Sequence, residues 1–444
     1  MSPYARATIW QRIMRPLPGS GRNLFGAAAF RAILSLGITA TTTAVADEKA
    51  RHVATGAQVL AEEGFARLDG ARVGLIVNQT SRAGSDHLID LVFGASNLTL
   101  AALFAPEHGL RGDAYAGEDV VDSHDAHTGA PVYSLYGKNR KPSVAVLRRL
   151  DALVFDIQDV GARFYTYIST MGLAMQAAAR AGVRFVVLDR PNPLGGDYVS
   201  GFVMRDAQRS FIGQYRIPIA HGMTIGELAL MIKGEALLPG LENLTLEVVP
   251  MTGWKRSMRW PDTGVAWVDP SPAIVDFATA LAYAGTGLFE ATATNYGRGT
   301  DEPFRLIGAP WIDGAALARE LSALKRPGVL FDRVRFTPKS GKAKAFAPLF
   351  AGQNIPGVRL LIADPARYQP VETGIHVLLG FVDHAARLGV PDIIDKPVWL
   401  AKMAGTGQLM QMIKRGMTAD AIIAAWQDEV RAFTEQRAPY LLYE

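Results

Sequence analysis

The chain has 444 residues, of which 49% are hydrophobic and 20% charged, so it is long enough for two or three domains with substantial cores. That apolar fraction excludes a wholly disordered chain, and the absence of cysteine excludes disulfides, thiolate metal sites and a cysteine nucleophile. The net charge of +4 arises at the N-terminus, because residues 1–46 contain five arginines and no acidic residue, which leaves 41 basic against 42 acidic residues beyond them. This balance gives no electrostatic footprint for nucleic acid.

The N-terminal segment has the pattern of an export signal. Its arginines precede an apolar stretch over 32–46, which ends in the run AVA. A basic region, a short apolar region and an A-x-A site are typical of a secretory signal peptide. We therefore predict a signal peptide over residues 1–46 and a mature periplasmic protein without a membrane-spanning segment. An uncleaved amphipathic anchor or a disordered extension is the alternative.

Residues 47–235 alternate between strand and helix patterns. Helices are predicted over 53–63 and 170–181, and strands over 71–78, 98–105, 132–136, 152–157 and 183–189. Continuous β-branched runs between helices indicate a mostly parallel sheet that is covered on both faces. The fold class is therefore α/β, with a Rossmann-like domain over 47–235. Neither G-x-G-x-x-G nor a P-loop motif is found, so no cofactor is expected.

The pattern changes in the second half of the chain. Strands are predicted over 244–249 and 358–363, and helices over 272–283, 374–388, 395–404 and 418–435. We predict a second, smaller α/β (α+β) domain over 236–444. Because clefts between domains are common ligand sites, the functional site is expected between the two domains.

The second predicted strand ends in the run FAPEHGLRG (104–112). In open parallel sheets, ligands bind beyond the carboxyl ends of the strands. A carboxyl group that emerges there from an apolar strand suits a general acid, which makes Glu107 the candidate acid. His108, Arg111 and Asn78, which follows the first strand, are candidate substrate ligands. The alternative for Glu107 is a loop carboxylate paired with Arg111.

The fourth predicted strand leads into the run DIQDVGARFYTY (156–167). Its polar groups could bind sugar hydroxyls and its tyrosines could stack on a sugar ring, so Gln158, Arg163 and Tyr165 are candidate substrate ligands. The alternative is a helix N-terminus whose carboxylates complement the helix dipole, with Asp159 and Arg163 paired to each other.

A third polar run, LFEATATNYGRGT (288–300), lies in the second half. Glu290 is the second candidate catalytic carboxyl, and Asn295 and Arg298 are candidate substrate ligands. The guanidinium of Arg298 offers a fork suited to a carboxylate. The alternative is a structural loop held by a Glu290–Arg298 pair.

Four tryptophans lie near these runs, at positions 254, 260, 267 and 311. Trp267 is the candidate for stacking on a sugar, although at least two of the four are expected in the core. The run DSHDAH (122–127) resembles part of a metal-binding motif, because it has two histidines with flanking aspartates. No H-E-x-x-H motif accompanies it, so no metal site is predicted.

Several long runs, in order, resemble the exo-β-N-acetylmuramidase family, bacterial glycoside hydrolases of peptidoglycan recycling. The resemblance extends from about residue 55 to the C-terminus, and the runs are FAPEHGLRG (104–112), PVYSLYG (131–137), VFDIQDVGARFYTYIST (154–170), LDRPNPLGG (188–196), WVDPSPAI (267–274) and YGRGTDEPFRLIGAPW (296–311). It implies a Rossmann-like domain, a smaller α/β domain, a site in the cleft, and release of N-acetylmuramic acid from non-reducing ends of β-1,4-linked fragments. The family's glutamate of the E-H-G run falls on Glu107. The run ATAT (291–294) departs from the family's usual L-F-E-G-T-N stretch.

Glycoside hydrolysis needs an acid that protonates the leaving oxygen and a second group that stabilises the oxocarbenium-like centre. We therefore expect an exo-acting glycoside hydrolase with Glu107 as acid and a peptidoglycan-derived muropeptide or disaccharide as substrate. Glu290 leads as the second carboxyl, ahead of Asp156, Asp159 and Glu118, and the 2-acetamido group of the sugar could itself be the nucleophile. The alternatives are a non-catalytic periplasmic muropeptide- or sugar-binding protein, or an esterase or amidase, which would lack a serine nucleophile and a zinc set.

The mature protein is predicted to begin at or near Asp47, because the A-x-A site ends at residue 46. N-terminal sequencing of the exported protein tests this expectation. Recovery of the intact residue 1 from the periplasm would contradict it.

Overall fold

The computed structural model describes residues 52–110, 123–137, 139–341, 345, 347–390 and 392–444, so the predicted signal peptide lies outside the described residues. The strands are β1 Arg72–Val77, β2 Arg82–Ala83, β3 Asp86–His87, β4 Thr99–Ala105, β5 Ser123–His124, β6 Pro131–Ser134, β7 Ala152–Asp156, β8 Arg184–Leu188, β9 Leu246–Val249, β10 Leu306–Gly308, β11 Val329–Phe336 and β12 Ile355–Ile362. The α-helices are α1 Gly56–Glu62, α2 Leu88–Gly94, α3 Val144–Leu147, α4 Tyr167–Ala181, α5 Ile225–Gly234, α6 Trp260–Thr263, α7 Phe277–Thr286, α8 Gly314–Ala323, α9 Pro370–Arg387, α10 Pro397–Ala404, α11 Gln408–Lys414, α12 Ala419–Ala424 and α13 Gln427–Arg437.

The larger sheet has the strand order β5-β6-β4-β1-β7-β8-β9, and only its edge pair β5–β6 is antiparallel. Successive residues of β1 enter different apolar clusters, with Leu75 and Val77 on one face of the sheet and Ile76 on the other. Burial on both faces explains why the strands are continuous apolar runs. The predicted mostly parallel α/β fold is therefore confirmed. The edge strand β9 follows residue 235, so the sheet includes residues that the sequence analysis assigned to the second domain.

The smaller sheet is antiparallel, with the order β10-β12-β11. Helix α8 packs on β11 and β12, and α9 packs against α7. The latter two helices cross in backbone contact, because a Cβ atom on Gly285 would lie 2.0 Å from the carbonyl oxygen of Pro370. Glycine is therefore required at this crossing.

One apolar core connects the two sheets. A single cluster includes Phe104 and Phe155 of the larger sheet together with Phe289, Leu360 and Phe381 of the second half. Both parts thus pack into one body, which fixes the segments between them. Among the described residues, none of the helices has both the length and the apolar character needed to cross a membrane.

Some element bounds differ from the predictions. The helix expected over 418–435 is divided into α12 and α13, because the fully buried Trp426 packs edge-on against Phe202 at 5.1 Å where the helix is interrupted. The helix expected from 272 begins at Phe277, where the side chain of Asp276 caps it by accepting a hydrogen bond from the Thr279 amide at 2.6 Å. The elements that were not predicted include helices α2, α3, α5, α6, α8 and α11 and strands β2, β3, β5, β10 and β11.

A buried acid and a buried histidine face each other beyond the carboxyl end of β7. Asp159 Oδ2 accepts a hydrogen bond from the Gly161 amide at 2.7 Å and lies 3.9 Å from His221 Nε2. Desolvation raises the pKa of Asp159 to about 7 and lowers the pKa of His221 to about 3. Both groups are therefore neutral near pH 6, and the interior avoids an isolated buried charge.

The raised pKa of Asp159 predicts a specific pH dependence of stability. Between pH 4 and 7 the unfolded chain ionises this carboxyl while the folded chain retains its proton, so the free energy of unfolding falls as pH rises. The loss amounts to at most about 4 kcal/mol, since one pKa unit corresponds to about 1.4 kcal/mol. We expect Asp159→Asn to flatten the dependence, measured by denaturant unfolding from pH 4 to pH 8. Equal slopes for both proteins over this window would show that Asp159 is already ionised in the fold.

Candidate active site

A cavity of about 530 Å³ opens beyond the carboxyl ends of the parallel strands, where segments of both halves of the chain meet. Strands β4, β6 and β7 supply the loops on one side, and the segment after α7 and helix α10 supply the other. The position agrees with the general placement of ligand sites in open α/β sheets. Its polar and aromatic lining consists of Glu107, His108, Tyr136, Arg140, Phe164, Tyr165, Thr166, Tyr167, Ser210, Phe211, Ser271, Tyr283, Glu290, Tyr296, Arg298, Phe304, Trp399 and Lys402.

Glu107 lines the cavity two residues after β4. Its Oε2 atom accepts a hydrogen bond of 2.7 Å from the hydroxyl of Thr166, which lies just before α4. His108 also lines the cavity, and its backbone is in the left-handed region at φ 72°. The chain thus turns sharply as it leaves the sheet, which directs two polar residues of the E-H-G run into the cavity.

Glu290 lines the cavity from a short helical turn that follows α7. Desolvation raises its pKa, and the negative charge of Glu107 adds to this effect. The charges of Arg298 and Lys396 and a hydrogen bond from Trp399 act in the opposite direction. The two candidate carboxyls thus line one cavity, and the charge of Glu107 acts on Glu290.

A wall of aromatic rings lies between these carboxyls. Tyr165 packs edge-on against Tyr167 at 5.0 Å and against Tyr283 at 5.9 Å, and Tyr283 also meets Phe304 at 4.8 Å. Desolvation raises the pKa of Tyr283, with further contributions from Glu290 and Glu107. These tyrosines stay neutral, so they can donate or accept hydrogen bonds to a sugar and also offer apolar ring surface.

Among the residues that the structure describes, three lysine or arginine side chains line the cavity: Arg298, Arg140 and Lys402. Arg298 was predicted, whereas Arg140, Lys402 and the cavity-lining Trp399 were not. No motif in the sequence distinguishes these three from ordinary surface residues. Each becomes part of the site only because its loop or helix folds back against the carboxyl ends of the strands.

Several predicted ligands lie outside the cavity and stabilise turns instead. The Oδ1 atom of Asn78 accepts a hydrogen bond from the Thr80 hydroxyl at 2.6 Å, and Gln158 donates to the carbonyl of Pro191 at 2.7 Å. The amide of Asn295 donates to the carbonyl oxygens of Arg298 and Leu349 at 3.1 and 2.8 Å. These polar side chains are buried, and none of the three is among the residues that line the cavity.

Arg163 and Trp267 also lie outside the cavity. The fully buried guanidinium of Arg163 donates hydrogen bonds to the carbonyls of Phe202, Ile217 and Met403, and no ion pair with Asp159 is found among the described residues. Trp267 is half-buried and packs edge-on against Trp260 at 5.0 Å. Arg163 thus binds backbone carbonyls and Trp267 packs against another tryptophan, whereas Trp399 lines the cavity.

Some of the remaining predicted residues of this region lie outside the part of the chain that the structure describes. Arg111 and Glu118 lie outside the described residues, as does the first residue of the DSHDAH run. Among the residues that the structure describes, no group of three or more histidine and acidic side chains is arranged to hold a metal ion.

Comparisons with known proteins agree with this architecture. Two family models, the N-terminal and C-terminal parts of exo-β-N-acetylmuramidase NamZ, match residues 73–278 and 281–443. The chain is 40% identical over 401 residues to the peptidoglycan β-N-acetylmuramidase NamZ of Bacillus subtilis, an alignment that covers 89% of this chain and 92% of the relative.

Two crystal structures of DUF1343 family proteins from Bacteroides fragilis have the same fold. One superposes with a TM-score of 0.81 at 36% identity and covers 89% of this chain and all of its own. The other has a TM-score of 0.73 at 32% identity and covers 88% of this chain and 99% of its own. The family predicted from the sequence is confirmed: this chain belongs to the exo-β-N-acetylmuramidase NamZ family, a family of glycoside hydrolases.

Proposed function

We propose that this protein is an exo-acting glycoside hydrolase that releases N-acetylmuramic acid from the non-reducing ends of β-1,4-linked peptidoglycan fragments. The observation that carries the proposal is the pair of carboxyls, Glu107 and Glu290, in one aromatic cavity of a chain that is 40% identical to a peptidoglycan β-N-acetylmuramidase. Most glycoside hydrolases use a pair of carboxyl groups that flank the scissile bond. The Arg-rich segment before residue 47 supports a further proposal, that the enzyme acts in the periplasm after export.

Glu107 is the proposed general acid. It lies at the cavity edge of β4, and the hydroxyl of Thr166 orients its carboxyl by binding Oε2. The other oxygen is then the one that carries a proton to the leaving group. An acid held in one orientation protonates the leaving oxygen as the glycosidic bond breaks. Without this proton the oxygen would leave as an alkoxide, which is costly.

Glu290 is the proposed second carboxyl. Two roles fit its position: it stabilises the positive charge that develops on the sugar ring, or it orients the 2-acetamido group of the sugar for attack. Arg298 favours the ionised form of Glu290, and a cationic ring would favour it further. Because burial raises the pKa of Glu290, the opposite assignment, with Glu290 as the acid, must be tested directly.

We expect Glu107→Gln to reduce hydrolysis of the disaccharide N-acetylmuramyl-β-1,4-N-acetylglucosamine by about 10²–10⁴-fold, because the transferable proton is lost. A dinitrophenyl β-muramide needs no protonation of its leaving group, so the same variant should cleave it at close to the wild-type rate. Glu290→Gln should be slow on both substrates. Rates and product identity can be measured by chromatography and absorbance.

The opposite pattern, in which the activated substrate rescues Glu290→Gln but not Glu107→Gln, would exchange the two roles. If both variants hydrolyse the disaccharide at more than about a tenth of the wild-type rate, neither carboxyl is the acid. A preserved thermal melting temperature serves as the control for folding in each variant.

We propose that Arg298 binds the lactyl carboxylate of the muramic acid. This ether-linked group is what distinguishes the sugar from N-acetylglucosamine, and a guanidinium binds a carboxylate through two parallel hydrogen bonds. Charged hydrogen bonds contribute about 1.5–3 kcal/mol, which corresponds to roughly 10- to 150-fold discrimination. Arg298 lies between Gly297 and Gly299, both with φ above 80°, in a loop shape that other residues rarely adopt.

We expect Arg298→Ala to lower the preference for the β-muramide over the β-N-acetylglucosaminide by about tenfold or more, and Arg298→Lys to recover part of it. The measurement is kcat/KM on matched nitrophenyl glycosides of the two sugars. An unchanged ratio in both variants would mean that another cation of the cavity, such as Lys402, recognises the carboxylate.

A further inference from the structure

The lining of the cavity differs from one end to the other. Phe304 and Phe164 are 2% exposed and Tyr283 is 8% exposed, so this end is closed. At the other end, Arg140 is exposed and Tyr136 and Phe211 are half-buried. An exo-acting enzyme needs this asymmetry, because the terminal sugar must be enclosed while the rest of the glycan extends into solvent.

The open end has an aromatic and cationic rim, which consists of Tyr136, Arg140 and Phe211. The guanidinium carbon of Arg140 lies 4.5 Å from the centroid of the Phe211 ring, and the Tyr136 ring lies 6.3 Å from it. All three side chains line the cavity. The cation thus lies over the ring, and its attraction to the ring face holds the two side chains together.

A tight hairpin holds Phe211 in this position. The backbones of Ser210 and Gly213 exchange two hydrogen bonds of 2.9 and 3.0 Å, which places Phe211 at the tip. The base of the hairpin is close-packed, because a Cβ atom on Gly213 would lie 2.8 Å from the sulfur of the buried Met204. Ser210 lines the cavity, and its buried hydroxyl oxygen has no hydrogen-bond partner among the described residues.

The strand order places this rim relative to Glu107. Glu107 follows β4, and Tyr136 and Arg140 follow β6, which neighbours β4 on the side of the sheet edge. Thr166 and its neighbours follow β7 and lie on the inner side of Glu107, beyond β1. A general acid lies beside the oxygen that joins the terminal sugar to its leaving group. The closed end, with Phe164, lies on the inner side of Glu107, so the enclosed terminal sugar lies there. A sugar on the edge side of Glu107 is therefore the leaving group.

We propose that Tyr136, Arg140 and Phe211 form the leaving-group subsite, which binds the N-acetylglucosamine residue next to the scissile bond. The inference rests on the proposed hydrolysis of muramyl glycosides. The aromatic rings contact the apolar face of the sugar, and Arg140 and the Ser210 hydroxyl bind its hydroxyl and acetamido oxygens. This subsite recognises the sugar that is attached to the muramic acid. Its role is separate from the recognition of the enclosed muramic acid.

Phe211→Ala is the test variant, and the readout compares two muramides that differ only in the leaving group. One is N-acetylmuramyl-β-1,4-N-acetylglucosamine, which reaches the rim, and the other is methyl β-N-acetylmuramide, whose leaving group is too small. We expect the ratio of kcat/KM for disaccharide over methyl glycoside to fall about fivefold to tenfold, the size of one aromatic contact. The loss should be mainly in KM, and Phe211→Tyr should restore the ratio.

Phe93→Ala provides a matched control, because Phe93 is 50% exposed and lies outside the cavity. A loss of equal size on both substrates, or an unchanged ratio in Phe211→Ala, would overturn the subsite while leaving the proposed hydrolysis intact. If the wild-type protein cleaves neither muramide, the proposed function fails. In that case calorimetric binding of the disaccharide decides the subsite: weaker binding by Phe211→Ala than by wild type supports it, and equal binding refutes it.

Discussion

The cavity depends on one buried guanidinium. Arg163 follows the end of β7 and donates hydrogen bonds to carbonyl oxygens of three separate segments, at Phe202, Ile217 and Met403. Met403 belongs to α10, which supplies Trp399 and Lys402 to the cavity, and the residues after Arg163 form its tyrosine wall. One side chain therefore connects the loop of the larger sheet to a helix of the second half.

Burial of the charged Arg163 costs desolvation free energy, and nearby residues accommodate the side chain. Burial lowers the pKa of Arg163 to about 9, because the charged form has lost its water. Its hydrogen bonds to backbone carbonyls offset the cost of desolvation. The neighbouring Gly405 has φ 80°, and a Cβ atom there would lie 2.6 Å from the guanidinium. Any other residue at this position would push the arginine away from its carbonyls, so the glycine and the arginine require each other.

The sequence predicted the strands better than the side chains. Buried parallel strands are continuous apolar runs, so β1, β4, β7 and β8 were placed to within one or two residues. Glu107, His108 and Tyr165 were also placed correctly in the cavity, since they follow the carboxyl ends of strands. Position along the chain does not tell which way a side chain points, however. Arg163 and Asn295 turn toward backbone groups, whereas Tyr165 and Arg298, only two or three residues away, turn into the cavity.

Other features could not be predicted for a different reason. Trp399 and Lys402 reach the cavity through contacts between residues that are far apart in the sequence, which no local pattern encodes. By contrast, α5 had a local signal that was missed: Thr224 and Glu227 form a capping box at its start. The apolar run that follows was too short to be recognised as a helix without that signal.

Ion pairing and burial explain why Asp156 and Asp159 are not available for catalysis. Asp156 ends β7 at the correct edge of the sheet, yet both its oxygens bind the guanidinium of Arg190, at 2.5 and 2.8 Å. Asp159 is kept neutral by burial near pH 6, behind the tyrosine wall. A charged pair and a protonated acid add no net negative charge beneath the cavity. Among the described residues, Glu107 and Glu290 are therefore the carboxyls that line the cavity, and the cations Arg298 and Lys396 oppose the rise in the pKa of Glu290 that its burial causes.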